Sequence, residues 1–574
     1  MEKVIIYQIF TRLFGNRNTT RQENGTIAEN GCGKLNDLTP AVLKQIRQMG
    51  VSHLWLTGVI RHATLTDYTR YGIPANHPAI VKGKAGSPYA ITDYYDIDPD
   101  LAVDVKQRMG EFEQLVERIH QAGMKVVIDF VPNHVAREYH SICKPKGVKD
   151  LGQGDDPTQG FSQQNNFYYC PGERFDPYFD LYHGAQEPYH EEPAKATGND
   201  QFHSKPGRND WYETVKLNYG VDYYAGVTPS SYHLPEGAPV PSTWKKMTDI
   251  LLFWAGKHVD AFRCDMAEMV PAEFWAYATA KVRKKYPDLK FIGEVYNPAE
   301  YRHYIHSGFD YLYDKVGMYD TLRAVICRQA PASAITAAWQ QTDDIRQHML
   351  YFLENHDEQR IASDFFAANA ERGIPALVVA ALMQQNPFML YSGQEYGERG
   401  MDKEGFSGND GRTTIFDYWS LDTLCRAAWK SLNQEEECLF QTYKKVLSLA
   451  AKEKAVTEGV FFDLMYVNSH LDRQYVFLRK AGGELLLVAA NFEDRPVSIA
   501  INLPAHAFDF LGIPEKKLLT TDLLNGGKQY LTFQKDGCIA LQLEANGARV
   551  LKAKVKNLEF LAEPSGKAER GVRN

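Results

Sequence analysis

The chain is short of the features that mark a disulfide scaffold, a zinc protein, a membrane protein or a nucleic-acid binder. Its eight cysteines (Cys32, Cys143, Cys170, Cys264, Cys327, Cys425, Cys438 and Cys538) are scattered over 574 residues without a CxxC pair or a close His pairing of the zinc-site kind, so neither a zinc site nor a disulfide framework is expected. Cys264 lies inside an apolar run and is expected to pack as a small hydrophobe. No stretch of about 18 apolar residues is present to cross a bilayer. The first residues, MEKVIIYQIFTRLF, lack a long apolar core and a small-residue cleavage site, so no signal peptide is read and a cytoplasmic location is expected. The formal net charge of −8 is the wrong sign for a nucleic-acid surface.

What is present is length, ordinary composition and many aromatics. At 574 residues the chain can form two or three domains with large cores. Its 33 tyrosines are mostly accounted for by such cores. Those in loop-like stretches also suit sugar binding, where a ring stacks on the apolar face of a pyranose while the hydroxyl finds a polar partner.

The first two-thirds alternates strand-like runs with amphipathic helices. Val4 to Phe10 is nearly all apolar, as in a parallel strand buried on both faces. A helix follows, with Thr39 as N-cap, Pro40 in its first turn, Gly50 past its end, and an inner stripe of Val42, Leu43, Ile46 and Met49. Further strands are expected over Ser52–Thr57, Lys125–Val131, His258–Arg263, Lys290–Glu294, Asp310–Tyr313, Met349–Leu353 and Pro387–Tyr391. Right-handed βαβ crossovers then give a parallel sheet, and eight strands suggest a closed TIM-type (β/α)8 barrel. The Gly-, Pro-, Tyr- and His-rich stretch after the third strand reads as an irregular subdomain over the barrel mouth. After about Glu435 a helix is followed by expected strands over Tyr475–Arg479 and Leu485–Ala490, flanking Ala481-Gly482-Gly483, and over Val497–Leu503, Leu518–Leu523 and Cys538–Leu543, which read as an antiparallel β-sandwich. The expected domains are therefore a barrel over 1–135 and 242–435, an inserted B subdomain over 136–241, a sandwich over 436–556 and a polar tail over 557–574.

Two runs place a carboxylate at the end of a strand: Phe262-Arg263-Cys264-Asp265 and Ile292-Gly293-Glu294-Val295. Strand ends of such a barrel open onto one face, and two carboxylates facing each other there can cleave a glycosidic bond. With Asp129-Phe130-Val131-Pro132-Asn133-His134 and Asn355-His356-Asp357, these motifs resemble, in order and spacing, those of the α-amylase family, glycoside hydrolase family 13. The likeness covers about the first 550 residues. It implies a retaining α-glucan hydrolase in which Asp265 is the nucleophile, Glu294 the general acid/base and Asp357 the third carboxylate. It also implies that His134 and His356 bind sugar hydroxyls, that Tyr89 stacks on the reacting glucose, and that Arg263 favours an ionised Asp265 while pairing with Asp129. Arg360 reaches either a substrate hydroxyl or an acid. Tyr296 is the leading subsite aromatic among Tyr168, Tyr169, Trp211, Tyr212, Tyr223, Tyr224 and Tyr296; half of these are expected to be ordinary packing.

Three departures qualify the likeness. Many starch-cleaving members carry Lys-His where this chain has Glu268-Met269, and the run Asp265 to Val270 is closer to the cyclomaltodextrinase and neopullulanase branch. Lys216 in Thr214-Val215-Lys216-Leu217-Asn218 stands where calcium-binding members have an acid. An ammonium group can serve the oxygens, such as that of Asn133, that would otherwise hold the hard cation, so no metal or other cofactor is expected. The first barrel strand begins near Val4, so the N-terminal dimerisation domain of that branch is not carried over and no oligomeric state is assigned. The expected partner is an α-glucan or oligosaccharide, with neither nucleic acid nor membrane. Competing readings are an α-glucan transglycosylase, an exo-acting α-glucosidase and, remotely, a non-catalytic glycan-binding homologue.

Overall fold

The computed structural model describes residues 3–555; the expected tail over 557–574 lies outside the described residues. Eight parallel strands form a closed barrel: β1 Ile5–Phe10, β2 His53–Thr57, β3 Lys125–Phe130, β4 Ala261–Cys264, β5 Lys290–Gly293, β6 Tyr311–Tyr313, β7 Met349–Phe352 and β8 Phe388–Tyr391. Closure comes from β1, which pairs with β2 on one side (Ile6 beside His53) and β8 on the other (Ile5 beside Phe388). Every expected barrel strand is present, with ends shifted by up to three residues. The first helix, Pro40–Gln48, starts where its cap is read: Thr39 Oγ1 accepts from the Val42 amide at 3.3 Å.

Alternation along the strands decides where chemistry sits. Ile6, Trp55, Val127, Ala261, Ile292, Tyr313, Leu350, Phe352 and Met389 point inward and fill the barrel with a dry plug. Two residues further along the same faces come Gln8, Asp129, Arg263 and Glu294, all buried. A polar layer thus lies directly on an apolar floor at the C-terminal rim.

The segment after β3 is held near the rim by a short antiparallel ladder, His134–Ala136 with Thr214–Lys216, and contains a second within itself, Tyr169–Cys170 with Ala194–Lys195. A further pair, Ile60–His62 with Ile91–Ile97, rises between β2 and β3; sequence reading did not find it, because Gly, Pro and polar residues break the intervening chain.

The C-terminal region is antiparallel. We label its strands β9 Val460–Asp463, β10 Gln474–Ala481, β11 Glu484–Asn491, β12 Val497–Leu503, β13 Lys516–Asp522, β14 Lys528–Phe533, β15 Gly537–Leu543 and β16 Ala548–Lys554. Six form one sheet in the order β9-β10-β11-β16-β13-β14, and β12 pairs with β15. Strands β9, β14 and β16 were not expected: β9 and β14 are part-exposed edges, and β16 carries Arg549, Lys552 and Lys554. The sheet is tied to the barrel by Arg479, whose guanidinium donates to the carbonyls of Met383, Ala455 and Val456 at 2.8, 2.9 and 2.6 Å. The helix Gln434–Lys452 is capped by Asn433 and packs on the barrel, where Tyr443 OH meets Gln394 Nε2 at 3.1 Å.

Candidate active site

The site is organised around one cation. Arg263 lies beside Asp129 in the β3–β4 register, is wholly buried, and is ringed by Trp55, Tyr89 and Tyr313 at 5.3–5.6 Å from their ring centres. Its Nη1 donates to Asp265 Oδ1 at 2.8 Å and lies 3.5 Å from Asp129 Oδ1, while its Nη2 is 2.8 Å from Glu294 Oε2. Its Nε donates to Tyr313 OH at 3.2 Å. Adjacent nitrogens of one planar guanidinium therefore touch both carboxylates, which puts the touched oxygens within about 8 Å of each other. Burial works against the charge on Arg263, but Glu294 and the groups around it hold its pKa well above the usual arginine value.

Main-chain bonds fix the two acids. The Asp265 amide donates to Phe130 O at 2.9 Å and the Glu294 amide to Cys264 O at 3.1 Å, continuing the ladder one residue beyond each strand. Met266 then turns into the left-handed region (φ 44°), a conformation costing on the order of 1–2 kcal/mol for a residue with a side chain. The turn aims its N–H at Glu294 Oε2, 2.8 Å away.

Asp357 is near enough for its charge to act on Asp265, and 40% of its side chain is exposed. Burial alone would raise its pKa, but His356, Arg263 and Arg412 bring it to about 2. His356 is held on both nitrogens: Gln8 Nε2 meets Nδ1 at 2.8 Å, while Tyr89 OH and Asp357 Oδ2 lie 2.5 and 3.0 Å from Nε2. Tyr89 is stacked on His356 at 5.4 Å and is 8% exposed. His134 lies at the head of the B-subdomain ladder, 5.2 Å from the Trp211 ring, with Asn133 Nδ2 against its Nδ1 at 3.1 Å. Burial, helped by Lys216 and Lys82, lowers its pKa to about 3.

The expectation that Arg263 favours an ionised Asp265 holds, but the net shift of the carboxyl runs the other way. The Arg263 contact exists and lowers its pKa, but burial is the larger influence, and Glu294, Asp357 and Asp129 add to it, so the carboxyl is pushed well up. The substrate-binding expectation for Arg360 is corrected. Its Nη1 pairs with Glu354 Oε2 at 2.9 Å, its Nη2 donates to Thr413 Oγ1 at 3.2 Å, its guanidinium lies 3.9 Å over Tyr391, and it is 1% exposed. The buried Glu354 takes the charge.

The aromatic set divides. Tyr296 donates to Glu294 Oε1 at 2.6 Å and Trp211 covers His134. Tyr168 and Tyr169 donate inward, to Val221 O and Asp155, and Tyr212 packs on Phe179. Tyr223 lies under Lys216 and Tyr224 rests on Phe202. Sequence reading missed Gln8, Trp55 and Tyr313, which brace His356, Asp129 and Arg263. A polar Gln8 inside the run Ile5-Ile6-Tyr7-Gln8-Ile9-Phe10 was the available signal. Lys216 Nζ donates to Asn133 Oδ1 at 2.5 Å and lies 2.7 Å from Asp200 Oδ1, 2% exposed. A cation thus already sits between these oxygens, and they do not fit a calcium ion as well. Elsewhere among the described residues, Asp93, Asp96 and Cys143 cluster, but both acids are taken by Arg61 and Arg108.

The alpha amylase catalytic-domain profile matches residues 8–459. The chain belongs to the α-amylase family. It is a glycoside hydrolase with that family's barrel. It is 22% identical over 485 residues to alpha-amylase 3 of Dictyoglomus thermophilum, covering 80% of this chain and 79% of that one. It is 22% identical over 478 residues to the intracellular maltogenic amylase of Bacillus subtilis strain 168, covering 80% and 63%. A cyclomaltodextrinase of Thermoanaerobacter pseudethanolicus is 23% identical over 450 residues (75% and 62%), in keeping with the branch that the motifs resemble. The chain thus spans a little under two-thirds of the latter two relatives. In fold it resembles the acarbose-complexed α-amylase of Geobacillus thermoleovorans, with a TM-score of 0.63 at 21% identity over 97% and 99% of the chains. No helix among the described residues is long and apolar enough to cross a membrane.

Proposed function

We propose that this family member is a retaining hydrolase of α-1,4-glucosidic bonds in maltooligosaccharides or starch-type glucans, acting through a covalent glycosyl-aspartate. The observation that supports the reading is the shared guanidinium of Arg263, which lies 2.8 Å from an oxygen of Asp265 and 2.8 Å from an oxygen of Glu294. Retention requires the carboxyls about 5–5.5 Å apart, too close for a water between sugar and nucleophile. Burial and the neighbouring carboxylates push Asp265 upward, while Arg263 favours its ionised form. As positive charge develops at the anomeric carbon, the ionised form of Asp265 is favoured. Asp265 then bonds to that carbon, and Glu294 protonates the departing oxygen. Water deprotonated by Glu294 hydrolyses the ester in the second step. Asp357, held ionised beside His356, binds sugar hydroxyls and favours the distorted ring, with Tyr89 and His134 lining the same subsite.

Three further parts of the reading go with it. Lys216 takes the place of the interdomain calcium, supported by its contacts with Asn133 and Asp200. The substrate is an α-glucan or oligosaccharide, as the names of the amylase and cyclomaltodextrinase relatives suggest. A cytoplasmic location is supported by the relative named an intracellular maltogenic amylase. The test of the central claim is a time course on maltotriose with the product anomer read by NMR. The α-anomer is expected first; initial release of the β-anomer would refute retention, and early products longer than maltotriose would move the assignment to a transglycosylase.

A further inference from the structure

Glu294 is held unequally at its two oxygens. Among the described residues, Oε2 accepts the Met266 amide and lies beside the cationic Nη2 of Arg263, each at 2.8 Å. A proton cannot sit there without opposing both, so the transferable proton belongs on Oε1. Among the described residues, the one protein group bonded to Oε1 is the Tyr296 hydroxyl, at 2.6 Å. That hydroxyl in turn depends on its loop, which leaves β5 exposed at Asn297. What pins the loop is Glu268, three residues after Asp265. A single oxygen, Glu268 Oε2, accepts the amides of both Tyr296 and Asn297 at 3.0 Å. The Tyr304 hydroxyl, by donating to Glu268 O and Val270 O at 3.0 Å, steadies the short helix that presents Glu268.

Resting on the acid/base reading of Glu294, we propose that Glu268 and Tyr296 are positioning residues for proton delivery: Glu268 fixes the loop so that the Tyr296 hydroxyl addresses the proton-bearing oxygen of Glu294. The hydroxyl donates to the carboxylate left when the proton moves to the leaving oxygen, so it stabilises the ionised acid. The reach is through the loop and not through charge, since a glutamine at 268 keeps an oxygen able to accept both amides. The other charged or titratable groups facing Glu294 are Arg263 and Asp265 from β4, Tyr313 from β6 and, beyond Tyr296, Asp357 after β7.

The test is the pH profile of kcat/KM on maltotriose for the full chain. Removing the Tyr296 hydroxyl takes a donor from the ionised form, so the basic limb moves to higher pH. Tyr296→Phe is expected to shift it up by about one unit and to lower kcat about tenfold, the size of a lost charge-assisted hydrogen bond. Glu268→Ala should shift the limb in the same direction, Glu268→Gln should restore the wild-type profile, and Glu268→Ala added to Tyr296→Phe should cause no further shift. A ring that merely stacks on sugar would raise KM and leave the limb in place, and that result overturns the inference. So does full additivity of the two variants, or failure of the glutamine to rescue. Thermal unfolding of each variant separates loss of fold from loss of function. Glu294→Gln tests the underlying reading by itself: near-wild-type hydrolysis would remove the acid/base assignment, whereas an inactive Glu294→Gln with an unmoved Tyr296→Phe limb removes the relay alone.

Discussion

Replacing Lys216 by alanine tests at once how the B subdomain is fastened to the barrel and whether a metal is needed there. Lys216 Nζ bridges Asn133 Oδ1 at 2.5 Å and Asp200 Oδ1 at 2.7 Å, and its main chain pairs with His134. Asn133 is fully buried, whereas the Asp200 side chain is 33% exposed. Breaking a fully buried pair costs about 3–5 kcal/mol, and water reaching Asp200 brings the expected loss to about 2–3 kcal/mol. The loss should reach the site through Asn133, whose Nδ2 holds Gly198 O at 2.8 Å and His134 Nδ1 at 3.1 Å. With His134 released, KM should rise several-fold and kcat change less, because Asp265 and Glu294 hang on β4 and β5. The variant also frees the oxygens of Asn133 and Asp200, hard ligands that suit calcium. Millimolar calcium should therefore raise the unfolding midpoint of Lys216→Ala but not of the wild type. The assay is urea unfolding with and without chelator, alongside kinetics on maltotriose. Wild-type activity that is lost on chelation and restored by calcium would refute the reasoning, as would an alanine variant of unchanged stability.

Asp265→Asn should lower turnover by several orders of magnitude without altering the unfolding free energy by more than about 1 kcal/mol, measured by kinetics and denaturation; near-full activity would remove it as nucleophile. Arg360→Ala strands Glu354 in the core and should cost about 3 kcal/mol or more, with KM nearly unchanged in whatever fraction stays folded. Acid should destabilise the protein through buried neutral histidines. Burial lowers the pKa of His53 to about 4 and of His62 to about 3, and His134 is likewise low. Their contribution is complete above the unfolded value near 6.5 and is lost as the pH falls toward the folded values, on the order of 1–2 kcal/mol for each at pH 5. Urea midpoints from pH 7 to 5 check this, and a flat profile would contradict it.

The barrel was legible because a parallel strand buried on both faces must be apolar almost throughout, and eight such runs recur between helices. The positions of Asp265 and Glu294 followed, since each ends one of those runs. Period alone could not assign β9, β14 and β16, where edge exposure and charged residues dilute the alternation that burial imposes.

Residue identity and spacing by themselves determined the succession of barrel strands and the strand ends that carry Asp265 and Glu294. Tertiary structure alone decided their partners. It gave one guanidinium to both Asp265 and Glu294, spent Arg360 on Glu354, and brought Gln8 from β1 to His356 after β7. Such contacts join residues up to 348 positions apart. The reason is physical: propensity and periodicity act over a few residues, whereas closing a barrel brings distant strand ends within hydrogen-bonding reach, and only there do burial and neighbouring charge set what each group can do.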